Sequence, residues 1–272
     1  MKTAKIRMLI NILFLGFYFS AFAHSDGNPN LNSAELETSL GTWRYETSGS
    51  GMKGLVFIHG ENSNSRIWKN QRLLKIQEFK NIYINLLGYG NSDKPAYGYS
   101  MANWLDGIRK IVAQEKLQTV VLVAHGYGAF IAKAFQAKYP NAIKRLILIN
   151  DVFENQGNQA ILHPGRNRDL EGELSKLDTG ASGYDIKPGP LSKEIHSTVQ
   201  WQNSDHFKIN CPVLMIHGES NGISNKNKRK LKRSIPRLSL VAFEDIGYSS
   251  PMENPLKINA LIAKHTLLVI PT

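Results

Sequence analysis

Residues 119–131, with the sequence TVVLVAHGYGAFI, decide the fold. The run from Thr119 to Ala124 is almost entirely apolar, which is typical of a strand buried on both faces. Gly126 and Gly128 follow at once, and residues 127–139 have the pattern of a helix. The stretch therefore predicts a strand, a tight turn and a helix, the repeating unit of a parallel α/β sheet.

The same alternation continues in both directions along the chain. Predicted strands cover residues 55–59, 82–87, 119–124, 143–149, 212–217 and 238–243, and predicted helices cover 67–80, 101–115, 127–139, 226–235 and 256–267. Near-continuous apolar strands predict an α/β protein with a mostly parallel central sheet and helices on both faces. We expect one domain in two parts, residues 43–151 and 207–272, with a flexible lead-in at 24–42 and a short insertion at 152–206, which is rich in glycine, asparagine and charge.

The composition excludes several classes of protein. Hydrophobic residues make up 42% of the 272 residues, which is enough for a large core and too many for a disordered chain. Cys211 is the only cysteine, so an intrachain disulfide scaffold and a multi-cysteine metal site are excluded. The glycines at 49–51 and 88–90 lack the rest of a phosphate-binding loop. We expect no cofactor and no metal.

Residues 1–23 have the pattern of an export signal. Three basic residues precede an apolar run at 8–19, and Ala21 and Ala23 occupy the small-residue positions of a cleavage site. A retained membrane anchor is the alternative, but the run is shorter than the ~20 residues that a spanning helix needs. We expect cleavage near Ala23 and a periplasmic or secreted protein.

The positive charge of the chain is concentrated in one segment. The formal net charge is +11, and residues 226–237 hold seven lysines and arginines without an acid. They form either the solvated face of a helix or a surface for an anionic partner, such as phospholipid or lipopolysaccharide. An exported chain without a binding module is not expected to bind nucleic acid. The seven residues are Lys226, Lys228, Arg229, Lys230, Lys232, Arg233 and Arg237.

Four motifs follow predicted strands, where parallel sheets bind ligands. They are His59-Gly60 with Trp68 eight residues after the glycine, Gly88-Tyr-Gly-Asn-Ser-Asp-Lys-Pro95, Val121-Leu-Val-Ala-His-Gly-Tyr-Gly128, and Gly247-Tyr248 followed by Glu253 and Pro255. In this order the set resembles the α/β-hydrolase superfamily, in its esterase, epoxide-hydrolase and peptidase-like branch. The resemblance implies the fold of that family and makes the insertion at 152–206 a cap over the pocket.

The resemblance also locates the three triad positions of the family, and all three hold other residues. Gly126 stands at the nucleophile elbow, where G-x-S-x-G presents a serine hydroxyl. Asn221 stands at the acid position and is neutral, so it would not stabilise an imidazolium as a carboxylate does. Tyr248 stands at the histidine position, and a phenol with a pKa of about 10 is a poor general base at neutral pH.

The turn itself explains why glycine suits position 126. The central residue of such an elbow typically has φ > 0, which costs a non-glycine residue ~1–3 kcal/mol. An active enzyme bears that strain to expose its serine, and a chain that no longer needs the serine gains stability from glycine. We therefore expect a positive φ at Gly126.

A ligand site is implied even without a triad. The backbone N–H groups of Glu61 and Tyr127 match the oxyanion-hole donors of the family, and His59 belongs to the same loop. These donors need only backbone geometry, so they can hydrogen-bond a carbonyl or carboxylate. The aromatic residues considered for the pocket are Tyr127, Tyr248, Trp68 and Trp104, of which the two tryptophans are at least as well explained as core.

Other polar residues at strand ends give alternatives. Asp151 directly follows a predicted strand and is an alternative position for the acid. His59, His125 and His217 also lie at strand ends, where we interpret them as structural hydrogen-bonding residues. A histidine metal cluster is the competing interpretation, but no close spacing supports it.

Three functions remain from the sequence. The first is an exported, non-catalytic α/β-hydrolase-fold protein that binds a small carbonyl-containing or lipid-like ligand or a protein partner. The second is an active esterase or lipase that acts on carboxylic esters through catalytic groups not yet identified. The third is a structural or interaction protein that uses the basic stripe.

Overall fold

A mostly parallel sheet forms the centre of the molecule. The computed structural model describes residues 30–60, 63–151, 208–218, 225–244 and 250–268. Within them the strands are β1 Asn32–Thr38, β2 Gly41–Gly49, β3 Lys53–Ile58, β4 Phe79–Ile84, β5 Thr119–His125, β6 Arg145–Ile149, β7 Val213–Gly218 and β8 Leu238–Phe243. The helices are α1 Met101–Gln114, α2 Tyr127–Lys138, α3 Asn225–Ser234, α4 Ser250–Glu253 and α5 Pro255–Leu267, and Ser65–Leu73 forms a 3-10 helix.

The strand order places β3, β5, β6 and β7 in the interior of the sheet. The order is β1-β2-β4-β3-β5-β6-β7-β8, with antiparallel pairing of β1 to β2 and of β2 to β4 and parallel pairing elsewhere. Because consecutive parallel strands need crossover connections, helices cover both faces of the sheet. The expectation of a mostly parallel sheet with helices on both faces is confirmed.

Alternate side chains of each central strand enter two separate cores. Val56 and Ile58 of β3 pack with α1, α2 and the Leu231 side chain of α3, whereas Leu55 and Phe57 pack with the 3-10 helix and α5. Successive side chains of a strand point to opposite faces, so an apolar run such as β5 supplies both cores. This double burial fixes the register of the central strands and the position of their carboxyl ends.

The lead-in predicted at 24–42 is wrong for residues 32–38, which form edge strand β1. Leu36 is buried, Ala34 packs against the core, and the alternate residues of β1 face solvent. An antiparallel edge strand needs only one apolar face, and its backbone pairing with β2 does not depend on side-chain type. The polar composition of this segment therefore concealed a strand.

The strand predicted at 82–87 instead begins at Phe79, and the helix predicted at 67–80 is the shorter 3-10 helix. Asn81 lies inside β4 and is buried, and its Nδ2 donates to the carbonyl of Leu74 at 2.7 Å. Leu74 already has extended backbone, so the chain leaves the helix there to enter β4. The insertion predicted at 152–206 lies outside the described residues. Within them, no helix has the length and apolar character needed to cross a membrane.

Candidate functional site

The carboxyl ends of the central strands bring four dipeptides to one edge of the sheet. They are His59-Gly60 after β3, His125-Gly126 at the end of β5, Asn150-Asp151 after β6 and His217-Gly218 at the end of β7. Parallel strands end at the same edge, which is where open α/β sheets bind ligands. The structure therefore gathers most of the described site residues that the sequence predicts.

The β5–α2 turn has the geometry of a nucleophile elbow. Gly126 has φ 54° and ψ −123°, and α2 begins at the next residue, Tyr127. The Gly126 N–H donates to the carbonyl of Ile149 at 3.0 Å, which ties the turn to β6. The expectation of a positive φ at Gly126 is confirmed, and the residue at the apex carries no side chain.

The loop after β3 packs directly against this elbow. A Cβ on Gly128 would lie 2.4 Å from the carbonyl oxygen of His59, and a Cβ on Gly60 would lie 3.5 Å from the backbone nitrogen of Tyr127. The backbones of β3 and α2 therefore approach as closely as glycine allows. The Tyr127 amide belongs to the first turn of α2, whose N–H groups point out of the helix end toward positions suited to an anionic or carbonyl oxygen.

His59 supports the loop through both nitrogens of its ring. Nδ1 lies 2.7 Å from the carbonyl oxygen of Gly60, and Nε2 accepts a hydrogen bond from the Leu86 N–H at 3.2 Å. Burial lowers the pKa of His59 to about 4, the Gly60 carbonyl acts in the opposite direction, and His125 lowers the pKa further. The ring is therefore neutral at pH 7, with the proton on Nδ1. The structure places His59 as a brace between two loops.

The other two histidines of this edge are also buried. The His125 ring meets the Trp68 ring edge to face, with centroids 6.4 Å apart. Nδ1 of His217 lies 3.1 Å from the carbonyl oxygen of Gly218, the same local contact that His59 makes. Among the residues that the structure describes, no three histidine, cysteine or acidic side chains group together as metal ligands would.

Asp151, the alternative acid, forms a buried ion pair with Lys133 of α2. The two carboxylate oxygens of Asp151 lie 3.0 and 2.8 Å from the Lys133 Nζ, and the Asp151 side chain is fully buried. Sequence reasoning missed Lys133, although it was detectable as a lone charge in the apolar run AFIAKAFQ. The Asp151 carboxylate is thus ion-paired with the Lys133 ammonium, which lies nearly two turns after the start of α2.

Asn150 is a second residue that the sequence did not single out. It has φ 49°, and its side-chain Nδ2 donates to the Ser250 Oγ at 3.0 Å. Asparagine tolerates a left-handed backbone better than most residues, which suits it to the sharp exit from β6. The contact ties this exit to the start of α4, the element that directly follows Tyr248 and Ser249 in the sequence.

A row of aromatic rings lines one side of the elbow. The Tyr89 ring contacts the His59 ring at a centroid distance of 5.2 Å. The Trp104 ring lies between Tyr89 and Tyr127, at centroid distances of 6.5 and 6.1 Å. The Phe130 ring follows at 5.6 Å from Tyr127. All of these rings are buried within the described residues. Trp104 and Trp68 therefore belong to the two cores.

The motif at 88–95 fastens β2 to the end of β4. Asp93 accepts from the Thr42 N–H at 2.9 Å and from Arg44 at 2.7 Å, and Ser92 Oγ accepts from the Arg44 N–H at 2.8 Å. The Thr42 and Arg44 hydrogen bonds lower the pKa of the Asp93 carboxyl. The polar residues of this motif therefore hold the turn against β2.

Three predicted site residues lie outside the described residues. They are Glu61, Asn221 and Tyr248. The site that can be described thus consists of the Gly126 elbow, the Tyr127 amide, the His59-Gly60 loop and the Lys133–Asp151 pair.

Comparison with known proteins agrees with this arrangement. Residues 54–172 match the family model described as alpha/beta hydrolase fold. The AB hydrolase superfamily protein YisY of Bacillus subtilis is 27% identical over 250 residues, covering 80% of this chain and 93% of that protein. The 2-(acetamidomethylene)succinate hydrolase of Mesorhizobium japonicum is 26% identical over 231 residues, covering 74% and 82%.

Solved structures give the same fold. An epoxide hydrolase of Vigna radiata superimposes with a TM-score of 0.70 at 17% sequence identity, covering 90% of this chain and all of that one. With the elbow, the sheet order and the sequence matches taken together, the chain has the α/β-hydrolase fold and is similar in sequence to members of that superfamily.

Proposed function

We propose that this chain is an exported α/β-hydrolase-fold protein that binds a small carbonyl-containing or lipid-like ligand and does not hydrolyse it. The observation that carries the proposal is Gly126, a residue without a side chain at the apex of a well-formed elbow. An acyl-transfer enzyme of this family needs an attacking oxygen at that point. Here the turn keeps its conformation and has no such atom.

The residues at the other two triad positions agree with a loss of catalysis. Asn221 replaces a carboxylate and Tyr248 replaces an imidazole. Asp151 does not substitute for the missing acid, because Lys133 already neutralises it. The neutral His59 has both ring nitrogens in hydrogen bonds, so it offers no general base.

Ligand binding is supported by what the elbow retains. The Tyr127 amide lies in the first turn of α2, beside the Gly60 loop, and suits the oxygen of a carbonyl or carboxylate. An oxygen-binding helix end beside apolar side chains is typical of small-molecule sites.

The alternative function is hydrolysis of carboxylic esters by groups not identified above. Relatives that are named as hydrolases favour it. Two measurements on the purified chain separate the alternatives: release of p-nitrophenol from short acyl esters, and covalent labelling by a fluorophosphonate. We expect turnover no higher than in Gly126→Trp, which fills the elbow, and no stoichiometric adduct. A stoichiometric adduct would establish the hydrolase.

Restoring the serine alone is the sharper test. Gly126→Ser places a side chain at φ 54° and is expected to lower the free energy of unfolding by ~1–3 kcal/mol without ester turnover. The comparison variant carries Gly126→Ser, Asn221→Asp and Tyr248→His together. Turnover in the triple variant and not in the single one supports the assignment of all three positions. A large rise in turnover in Gly126→Ser alone would mean that the other groups are already present.

Binding is tested by thermal unfolding with octanoate and phenylacetate as probes and octanol as the neutral control. A ligand that binds only the native state raises Tm, by several degrees at concentrations far above Kd. We expect the carboxylate probes to raise the Tm of the wild type. Octanol should not raise it, and the carboxylates should not raise the Tm of Gly126→Trp. Equal shifts with octanol would indicate apolar burial without recognition of the oxygen.

Export rests on the pattern of residues 1–23. The proposed cleavage leaves a chain that starts at His24. Intact-mass measurement of the protein recovered from the periplasm or medium of an expressing bacterium tests this step, and a full-length mass in the membrane fraction would support the anchor instead.

A further inference from the structure

We propose that the outward face of α3 is a docking surface for an anionic phospholipid membrane. The surface, named here the basic face, consists of the described cations of α3 together with Arg237, which directly precedes β8. Residues 220–243 contain seven lysines and arginines and no aspartate or glutamate. The residues of the basic face are distinct from those of the elbow, the His59-Gly60 loop and the Lys133–Asp151 pair, so the docking surface does not depend on the function proposed for the elbow.

The geometry of α3 directs its charges away from the protein. Leu231 packs against the core and defines the inward side of the helix. At about 100° per residue, Arg229 and Arg233 project roughly opposite Leu231. Both arginines are exposed, as are Lys230 and Lys232 on the flanks. These four cations therefore point toward solvent.

Ion pairing within the described residues does not account for the charges of Arg229, Lys232 and Arg233. Several cations elsewhere in the described residues pair with acids: Arg44 with Glu35 and Asp93, Arg72 with Glu46, Lys80 with Glu115, and Arg109 and Lys110 with Asp106. Among the described residues, Arg229, Lys232 and Arg233 have no such acid. Arg229 and Arg233 are spaced four apart, a repulsive arrangement on a helix that an anionic partner would relieve.

Beyond the end of α3, Arg237 lies close to a second basic residue, Arg145. The Ile209 N–H donates to the carbonyl of Ser234 at 3.3 Å, and Arg145 donates to the carbonyl of Leu268 at 3.0 Å. Burial and the nearby charge of Arg237 lower the pKa of Arg145, which places the two guanidinium groups in one field. Leu267 and Leu268, at the end of α5, are 38% and 63% exposed, but α5 packs in the other core, on the opposite face of the sheet from α3. The docking surface is therefore the cluster of cations on α3, which suits the anionic phosphates of a phospholipid surface.

A membrane fits this surface better than RNA does. The cations lie on the convex side of one short helix, and the described residues nearby offer no exposed aromatic platform of the kind that single strands stack upon. Each lysine or arginine near an anionic bilayer contributes about 1 kcal/mol of attraction, so a cluster of this size can hold a protein at low ionic strength.

The test is co-sedimentation of the full chain with vesicles of one part phosphatidylglycerol to three parts phosphatidylcholine, and with vesicles of phosphatidylcholine alone. The test variant is Arg229→Glu/Arg233→Glu. The matched control is Lys69→Glu/Lys75→Glu, which changes the net charge equally at two exposed lysines near the other core. All three proteins share the N-terminal segment, so that segment cannot produce a difference between them.

We expect binding to the anionic vesicles, weaker at physiological than at low ionic strength, and a loss of at least about tenfold in the test variant with little change in the control. Thermal unfolding verifies that both variants fold. Equal losses of vesicle binding in the two variants would show that net charge alone drives binding, which would overturn the assignment to the basic face. The proposal would also be overturned if the wild type did not bind or if the test variant bound as well as the wild type. Tighter binding of a single-stranded RNA oligomer, lost in the same variant, would overturn the lipid assignment.

Discussion

The elbow between β5 and α2 and the basic face of α3 differ in what determines their residues. At the elbow, the close approach of two backbones requires glycine at 128, and the positive φ favours glycine at 126. Among the described side chains of α3, Leu231 packs against the core, whereas Arg229, Lys232 and Arg233 are exposed and have no acid partner among the described residues. A site can thus keep its shape because the fold needs that shape, whether or not any chemistry remains there. Residues that the fold does not need point more directly to a partner.

The elbow side of this comparison is tested most strongly by Gly128→Ala. The new Cβ would lie 2.4 Å from the His59 carbonyl oxygen and 2.6 Å from that of Ile58, and both are backbone atoms at the end of central strand β3. The strand or the helix must shift, so we expect a loss of about 4 kcal/mol in the free energy of unfolding, measured with urea. Ala129→Gly, one residue along, is the control and should cost only about 1 kcal/mol.

A Gly128→Ala variant as stable as the wild type would show that the two backbones can separate freely. The elbow would then not be fixed by packing, and its preserved shape would become an argument for retained chemistry.

The sequence predicts those parts of the structure in which the fold dictates the residue type. The central strands were identified because burial on both faces demands continuous apolar residues, as in β5. Edge strand β1 was missed because its pairing is carried by the backbone, and the Lys133–Asp151 pair was missed because its residues lie on different elements. The positive φ of Gly126 was predictable because the strand-turn-helix context imposes it. The partners of His59 were not, because Leu86 comes to its ring only through the packing of β4 beside β3.

Acid titration of His59, which holds the loop beside the elbow, is the test with the next largest expected effect on stability. The folded pKa of His59 is about 4, below the unfolded value of about 6.5, so the unfolded state takes up the proton first as the pH falls. The stability that neutral His59 contributes is present above pH ~6.5 and is lost as the pH falls toward 4. Between pH 7 and pH 5 the loss is about 2 kcal/mol.

His59→Gln should therefore be less stable than the wild type at pH 7 yet lose about 2 kcal/mol less between pH 7 and 5 in urea unfolding. His265, whose pKa burial and then Arg145 also lower to about 4, keeps contributing to the remaining slope in both proteins. Leu86→Ala is the control, because it weakens the same loop without removing a titrating group. If His59→Gln and Leu86→Ala keep the wild-type slope alike, His59 is not the group that titrates.

Neutralising two arginines of the basic face should change the free energy of unfolding least of the three tests. The sign of that change shows whether the fold needs these charges. Arg229→Gln/Arg233→Gln removes two exposed cations with no acid partner among the described residues, together with their mutual repulsion at i and i+4. We expect a stabilisation of up to ~0.5 kcal/mol, because like charges at that spacing destabilise a helix by this amount. The gain should shrink as salt is added, because screening already weakens the repulsion in the wild type. A loss of 1 kcal/mol or more would mean that the arginines stabilise the fold, and their exposure would then no longer argue for a partner on this face.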